Sequence, residues 1–294
     1  MIGRGIGLRL GLALVAGLWS ASALPLAASP AAAGLPVAAP PAPKRVVSMN
    51  LCTDQLALML AAPGQMVSVG ALAANMRSSA MAEEARKLTL NHGLAEEIFL
   101  MKPDLVITGT FSNRASADML RRLGVRVETL QPAYSLADVS IRLRQVGALL
   151  GREAEAEAAA TQFEADLAAL AHDGPRPRAA MYSANGYSSG PESLSGQILD
   201  AAGLDNIAGE LGITIGGRVA LEQLVMSRPD LVVLPTTRPT NSRAEEILHH
   251  PVIDELTDAA GIAPMTDQDW VCGTPHVLNA IRGLAAARDA WAAQ

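Results

Sequence analysis

The chain has 294 residues, half of them apolar, and its formal net charge at pH 7 is −6. This length accommodates two domains of ordinary size, and this apolar content is typical of a globular chain. No cluster of Lys and Arg remains after the N-terminal segment, which argues against nucleic acid as a partner.

Residues 1–23 have the pattern of a secretory signal peptide. Arg4 and Arg9 precede an apolar run at 10–18, and Ala-Ser-Ala at 21–23 is a small-x-small cleavage site. The run is too short to span a membrane, and no run of about 20 apolar residues follows it. We therefore expect export to the periplasm and no integral membrane segment. Cys52 lies far from the run and follows a bulky residue, so a lipid anchor is not expected.

Residues 24–43 contain little besides Ala and Pro, which predicts an extended linker. Strand and helix patterns then alternate over residues 44–135, which predicts a first α/β lobe. Its strands are predicted at 45–49, 66–69, 105–108 and 125–130, and its helices at 53–60 and 115–123.

Residues 136–174 predict connector helices. Residues 136–150 are apolar at helical spacing, and residues 152–171 are rich in Ala and Glu without strand character. We interpret this second run as one long helix with few glycines for a hinge, so we expect a small opening motion. Alternation resumes over residues 175–294. The predicted fold class is α/β: two similar lobes with parallel sheets flanked by helices, joined by one long connecting α-helix.

A twelve-residue segment occurs twice, at 96–107 and 222–233, with an offset of 126 residues. Each copy predicts a short amphipathic helix, a Pro-Asp stop and a β-branched strand. The strands are apolar on both faces, as in parallel sheets covered by helices. So long a repeat period indicates two lobes rather than a solenoid. We expect a ligand between the lobes, at loops after the carboxyl ends of the strands.

Over residues 45–294 the chain resembles the periplasmic binding proteins for iron-siderophores, haem and cobalamin that supply ABC importers, the class with a rigid helical connector. The resemblance is carried by Arg-Val-Val-Ser at 45–48, both repeated segments, the connector, and Asp269-Trp270 with Pro275 before the last helix. It implies a binding protein and not an enzyme, with no cofactor. Such a protein captures a metal chelate (ferric siderophore, haem) or a corrinoid and delivers it to a permease. We expect a monomer.

The resemblance also implies a docking role for one acid in each lobe. In this family an acidic residue at the start of the repeated helix docks on arginines of the permease, and the matching positions here are Glu96 and Glu222. An acid in the first turn of a helix is also favoured by the helix dipole, by roughly 0.3–1 kcal/mol, so a structural role stays open.

The cleft loops of the two-lobe arrangement contain ten ligand-binding candidates. They are Asn50, Cys52, Arg77, His92, Arg114, Tyr187, Arg218, Trp270, Cys272 and His276. The three arginines have guanidinium forks that suit the carboxylates of an anionic chelate. Cobalamin-binding members line the cleft with aromatic residues, whereas residues 90–93 and 216–218 contain none. The stacking surface for a corrinoid is therefore thin.

Cys52 and Cys272 are expected on opposite walls of the cleft, in an oxidising compartment. Three interpretations stay open, with unpaired thiols as the default. The second is a disulfide across the cleft that restrains lobe motion. The third is a pair of soft metal donors, with His92 or His276 as a third ligand. No spacing matches a preformed zinc site.

Two functions from other classes are alternatives. Gly-Tyr-Ser-Ser-Gly at 186–190 matches the nucleophile elbow of a serine hydrolase, with Ser188 as nucleophile. Pro191 interrupts the helix that should start there, and no glycine-rich oxyanion loop precedes it, so a flexible Gly/Ser loop is favoured. The other alternative is a two-lobed metal or chelate sensor or chaperone that is not coupled to a transporter.

Overall fold

The computed structural model describes residues 41–236 and 242–294. The predicted signal peptide, and the predicted linker as far as residue 40, lie outside the described residues. Within these two ranges, no helix has the length and apolar content that a membrane span requires.

Five strands of the N-terminal half form one parallel sheet: β1 (Val46–Ser48), β2 (Met66–Gly70), β3 (Thr89–Asn91), β4 (Leu105–Gly109) and β5 (Val127–Leu130). Their order across the sheet is β3-β2-β1-β4-β5. The connecting helices are α1 (Leu51–Leu60), α2 (Ala82–Ala85), α3 (Ala95–Leu100) and α4 (Arg114–Arg122), with a 3-10 turn at Ala71–Ala74. We call this sheet with its helices the N-terminal lobe.

Two consecutive helices follow, α5 (Leu136–Leu150) and α6 (Glu153–Ala168). They turn at Gly151, whose φ of 69° is a left-handed conformation that glycine adopts without strain. The predicted long helix corresponds to α6, but it packs along α5. Gly147 approaches Ala156 so closely that an added Cβ would overlap the alanine side chain. The connection is therefore a helical hairpin rather than one helix.

Six strands follow the hairpin: β6 (Arg178–Met181), β7 (Tyr187–Ser189), β8 (Asp205–Asn206), β9 (Gly216–Arg218), β10 (Leu231–Pro235) and β11 (Ile262–Met265). Four of them form a second parallel sheet in the order β11-β10-β6-β8, and β7 pairs with β9 antiparallel. The helices are α7 (Leu194–Ala201), α8 (Leu221–Ser227), α9 (Pro251–Ala260), α10 (Asp267–Trp270) and α11 (Val277–Ala292), with 3-10 turns at Ala184–Gly186 and Glu246–His249. These elements form the C-terminal lobe.

The strands of the two repeated segments are buried on both faces. Residues 105–108 of β4 and 231–234 of β10 are at most 3% exposed. This confirms the prediction of parallel strands covered by helices. One apolar cluster extends from β1 through α5 and α6 to β10 and α11, so a continuous core joins the two lobes. Close packing of that core favours a small relative movement of the lobes.

The Pro-Asp pair of each repeat fastens its strand to the first strand of the same sheet. In the first copy, Asp104 accepts hydrogen bonds from the backbone N–H of Lys44 at 2.7 Å and of Arg45 at 2.9 Å. In the second copy, Asp230 accepts one from the backbone N–H of Arg178 at 2.8 Å. Both aspartates therefore satisfy backbone donors at the start of a neighbouring strand.

An arginine donates hydrogen bonds to backbone carbonyls at the C-terminal end of each repeated helix. Arg45 donates from Nε to the carbonyl of Lys102 at 3.1 Å, and Arg178 donates from Nη1 to the carbonyl of Arg228 at 3.0 Å. Lys102 and Arg228 occupy equivalent positions and have left-handed backbones, with φ of 51° and 45°. Such conformations are strained for residues with a Cβ, and the surrounding hydrogen bonds hold them.

Candidate functional site

Loops at the carboxyl end of the N-terminal sheet contact the C-terminal lobe. Cys52, at the start of α1, is bonded to Cys272, which lies 220 residues further along the chain. Arg77, in the loop after β2, donates from Nε to the Asp267 carboxylate at 2.8 Å. These contacts define an interlobe space, as expected from the strand directions.

The disulfide settles the open question about the two cysteines. Cys52 and Cys272 are paired, with their Cα atoms 5.1 Å apart. The default interpretation of unpaired thiols is therefore wrong, and so is the metal-donor interpretation, because the metal ligand is a free thiolate. The cap of α1 positions Cys52, since Asn50 Oδ1 accepts hydrogen bonds from the backbone N–H of Cys52 at 3.1 Å and of Thr53 at 3.3 Å.

Cavity A lies at the ends of β1, β4 and β5 and has a volume of about 190 Å³. Asn50 and Cys52 line it from the N-terminal lobe, and Gly273 lines it from the C-terminal lobe. At its edge, Phe111 is 80% exposed. Arg142 of α5 also lines it, with a side chain only 13% exposed. This is a small, mainly apolar cavity with one guanidinium at its wall.

Cavity B lies between the loop after β2 and the end of β11 and has a volume of about 440 Å³. Met76 and Arg77 line it from the N-terminal lobe, and Thr236 and residues 265–268 line it from the C-terminal lobe. Arg77 is bonded to Asp267 and lies 3.9 Å from the Glu245 carboxylate. Cavity B therefore has a charged wall on which an anionic ligand would compete for the guanidinium.

The structure brings together only part of the predicted ligand set. Asn50, Cys52 and Arg77 line cavity A or cavity B, but His92, Tyr187 and Arg218 line neither. The His92 side chain is 71% exposed and lies 3.3 Å from Glu97. Tyr187 and Arg218 are directly opposite each other in the antiparallel pair β7–β9.

Arg114 lies in a separate small pocket next to cavity A. The pocket has a volume of about 130 Å³ and shares Gly109 and Thr110 with cavity A. Within residues 41–236 and 242–294, the Arg114 guanidinium has no hydrogen bond or ion pair. Its place beside the cleft is consistent with its prediction as a ligand contact.

Two further predicted candidates are more buried than expected. Trp270 is 6% exposed and belongs to the apolar core that joins the lobes, so its ring is not available to stack on a cleft ligand. Burial lowers the pKa of the His276 imidazole and so favours the neutral ring, although the Asp269 and Glu84 carboxylates oppose this shift. Its Nε2 has no hydrogen-bond partner among the described residues.

A buried carboxyl that the sequence did not single out lies beneath the interlobe space. Asp54, in α1, is 0% exposed. Burial raises its pKa to about 7, although the Ser48 hydroxyl and the backbone N–H groups of Gly70 and Asn50 oppose the shift. One carboxyl oxygen accepts the Gly70 N–H at 3.2 Å, and the other has no partner within the described chain.

Several residues line the cavities but were not among the predicted ligand candidates. Met76 and Phe111 belong to the loops after β2 and β4, where ligand contacts were expected, whereas Asp267 and Gln268 precede the Asp269-Trp270 pair and were not expected to contribute. Loop position therefore identified only part of the lining. Which side chains face inward depends on the local turns, and no sequence signal reports that.

Metal and hydrolase chemistry find no support in this geometry. In the part of the chain that the structure describes, no three His, Cys, Asp or Glu side chains are grouped to hold a metal ion. Ser188 lies within strand β7 and is 3% exposed, and the next helix begins at Leu194. A nucleophile elbow requires an exposed serine at a strand-to-helix turn.

The model of the periplasmic binding protein family matches residues 46–261. The chain belongs to this family. It is 26% identical over 197 residues to a cobalamin-binding protein of Halobacterium salinarum. The alignment covers 65% of this chain and 53% of that protein. The chain thus spans about half the length of this relative. It is also 26% identical over 204 residues to a vitamin B12-binding protein of Pectobacterium carotovorum, which covers 65% of this chain and 71% of that protein.

Solved structures share the fold. The periplasmic haem-binding protein RhuT of Roseiflexus sp. RS-1, in its apo form, aligns with a TM-score of 0.66 at 20% identity and covers 83% of this chain and 98% of its own. The periplasmic vitamin B12-binding protein BtuF of Vibrio cholerae aligns with a TM-score of 0.63 at 15% identity and covers 86% of this chain and 99% of its own. At these identities the likeness establishes the α/β two-lobed fold.

Proposed function

We propose that this chain is the solute-binding component of an ABC importer in the periplasm, and that it captures a metal chelate or corrinoid between its lobes for delivery to a permease. The observation that carries the proposal is the pair of cavities between the two sheets, on the fold of a binding-protein family. The ligands named for the relatives, cobalamin and haem, support this ligand class. In this proposal the N-terminal lobe comprises residues 44–135, the connector comprises residues 136–174, and the C-terminal lobe comprises residues 175–294.

The charged wall of cavity B supports an anionic ligand. The Arg77 guanidinium has five donors, and its described partners are Asp267 at 2.8 Å and Glu245 at 3.9 Å. A carboxylate of a chelate can take the remaining donors or displace Asp267, because guanidinium binds carboxylates in a fork. In this proposal Arg77 binds the ligand and also links the two lobes through Asp267.

Glu96 and Glu222 are free to dock on a partner. Both are exposed and, within the described residues, neither makes a hydrogen bond or ion pair. The neighbouring Glu97, in contrast, accepts a hydrogen bond from the backbone N–H of His92 at 2.8 Å. An exposed acid without a partner in each lobe suits two equivalent basic sites on a permease.

A matched apolar residue accompanies each docking glutamate. Leu100 is 79% exposed and Met226 is 80% exposed, and they follow Glu96 and Glu222 by four residues. Residues four apart lie on the same face of a helix. Each lobe therefore presents an acid and a large apolar side chain side by side, as in a partner-binding patch.

Ligand binding is tested by thermal unfolding in the presence of ferric siderophores, haem and cyanocobalamin. A ligand at a hundred times its Kd stabilises the protein by about 2.7 kcal/mol, so at least one should raise the Tm. Arg77→Gln should reduce the rise. Arg144→Gln is the control, because Arg144 pairs with Glu157 and Glu164 on α6, away from both cavities. If no ligand in the panel raises the Tm, the proposal fails.

Docking is tested by binding to membrane vesicles that carry the cognate permease and ATPase. Glu96→Lys with Glu222→Lys should weaken binding at least tenfold and leave ligand affinity unchanged. Glu83→Lys with Glu155→Lys is the charge-matched control, since these acids are 68% and 47% exposed and lie in α2 and α6. Equal binding of both double variants would exclude docking through Glu96 and Glu222.

A further inference from the structure

The Cys52–Cys272 disulfide occupies the middle of the interlobe space. Across the N-terminal sheet the order is β3-β2-β1-β4-β5, and Cys52 follows β1, the central strand. Cavity B lies at the loop after β2, on one side of that position, and cavity A extends to the ends of β4 and β5 on the other side.

The C-terminal lobe shows the same order. Residues 265–268 line cavity B, Gly273 lines cavity A, and Cys272 lies between them along the chain. Cys52 itself lines cavity A. In both lobes a cysteine of the disulfide therefore lies between, or next to, the segments that line the two cavities.

Buried polar groups without partners are concentrated around this bridge. Among the described residues, eight buried side-chain N or O atoms have no hydrogen-bond partner. Five of them belong to residues within four positions of Cys52 or Cys272 along the chain: Asp54 Oδ1, Gln55 Nε2, Trp270 Nε1, Thr274 Oγ1 and His276 Nε2. Such groups favour a state in which water or a ligand can reach them.

We propose that the Cys52–Cys272 disulfide divides the interlobe space, so that the oxidised protein accepts a compact metal chelate and the reduced protein accepts a planar macrocyclic metal complex. This inference rests on the proposed binding function. Sites for drug-sized ligands have volumes of roughly 300–1,000 Å³. At about 440 Å³ cavity B suits a small chelate, whereas cavity A, at about 190 Å³, admits only a side group. A macrocycle with its substituents needs the two joined.

The switch is thiol–disulfide exchange with a dithiol reductant. Cys272 is 1% exposed, whereas Cys52 is partly exposed, so a thiolate of the reductant attacks Cys52 Sγ and releases Cys272 as a thiolate. The second thiolate of the reductant then attacks the mixed disulfide and releases Cys52. Both cysteines take up protons, and the reductant leaves as a cyclic disulfide. The common core and the Arg77–Asp267 contact still join the lobes.

The test measures the affinity of the exported protein for cyanocobalamin and for ferric haem by equilibrium dialysis. The oxidised protein, the protein reduced with dithiothreitol and the variant Cys52→Ser with Cys272→Ser are compared. We expect the reduced protein and the variant to bind one of the macrocycles at least tenfold more tightly than the oxidised protein. Dithiothreitol should not change the affinity of the variant, which controls for its reaction with the ligands. Circular dichroism checks that all three are folded.

The outcomes separate this inference from the function on which it rests. Equal macrocycle affinity in the oxidised and reduced proteins overturns the division by the disulfide. So does a folded, reduced protein that binds neither macrocycle while the oxidised protein binds a ferric siderophore, and in that case the binding function stands. If no chelate or macrocycle binds either form, the proposed function and this inference both fail.

Discussion

The two copies of the repeated segment share several structural features, whereas the loops that precede them differ. Both keep the Pro-Asp joint, the arginine at the end of the helix and the left-handed residue before the proline. Both also keep a free glutamate and an exposed apolar residue on the outer face. Duplication has preserved the parts that join helix to strand and the parts that face outward.

The loops before the two copies have diverged. Asn91 is 1% exposed, and its amide donates to the Ser48 carbonyl and to Ser68 Oγ, both at 2.9 Å. Asn91 ends strand β3 of the main sheet, whereas the equivalent segment in the second lobe, residues 216–218, is strand β9, which pairs antiparallel with β7 outside the main sheet. Neither loop lines cavity A or cavity B. The repeated segments thus carry the helix-to-strand joint and the proposed docking patches, whereas cavities A and B are lined by segments outside the repeats.

The largest expected effect comes from the buried position that both copies share. Ile98 and Leu224 are equivalent and are 0% and 1% exposed. Ile98→Ala and Leu224→Ala should each lower the free energy of unfolding by about 2–5 kcal/mol, because each leaves a cavity. The matched controls Leu100→Ala and Met226→Ala should change it by less than about 0.5 kcal/mol. Urea denaturation measures all four, and a small effect at Leu224 alone would show that the copies are not packed alike.

A second prediction uses pH to probe the buried carboxyl of the N-terminal lobe. The folded-state pKa of Asp54 is raised to about 7 from 3.8, so between these values the folded protein binds more protons than the unfolded chain. The contribution of Asp54 to stability therefore falls as pH rises. Each pKa unit corresponds to about 1.4 kcal/mol. The free energy of unfolding of Asp54→Asn minus that of wild type should therefore increase by a few kcal/mol from pH 5 to pH 8. Denaturant unfolding at both pH values measures the difference, and an unchanged difference would contradict the raised pKa.

The equivalent exposed apolar residues of the two repeated helices are expected to contribute equally to permease binding. Leu100→Ser and Met226→Ser should each weaken binding to permease-containing vesicles several-fold, because a central apolar side chain contributes more to an interface than its rim. Met119→Ser and Ile262→Ser are controls, since these residues are 43% and 54% exposed but lie outside the repeated helices. A loss at only one of the two positions would show that a single lobe docks.

The smallest expected effect concerns the strained residue before each proline. Lys102→Gly and Arg228→Gly should stabilise the protein slightly, by at most about 1 kcal/mol, since glycine adopts positive φ without strain. Ser227→Gly, in the preceding helical turn, should instead destabilise it by about 0.5–1 kcal/mol. Thermal unfolding measures the change in stability. If the change had opposite signs at Lys102 and Arg228, the backbone strain would differ between the two copies.

Periodicity and repeats predicted most of the fold. The strands β1, β2, β4, β5 and β10 and the helices α1, α3, α4 and α8 lie where apolar spacing placed them, because that spacing reflects burial directly. Residues 136–150 and 152–171 are both predicted to be helical, but apolar spacing does not show that α6 turns back along α5 at Gly151.

The site was less predictable from sequence, because it depends on tertiary approach. Loop positions identified Arg77 and Asn50, but the pairing of Cys52 with Cys272 and the burial of Trp270 depend on how two distant loops meet. No sequence pattern identified Asp54 as a buried carboxyl either. Its pKa comes from the helix and sheet that cover it, and an isolated aspartate in a sequence does not show its burial.

The central claim is that a ligand is held between the two lobes. Hydrogen exchange with and without the ligand selected by the thermal screen tests it most directly. We predict slower exchange on both walls together, at residues 76–77 of the N-terminal lobe and at residues 265–268 of the C-terminal lobe. Protection confined to one lobe, or none in either segment, would contradict the account.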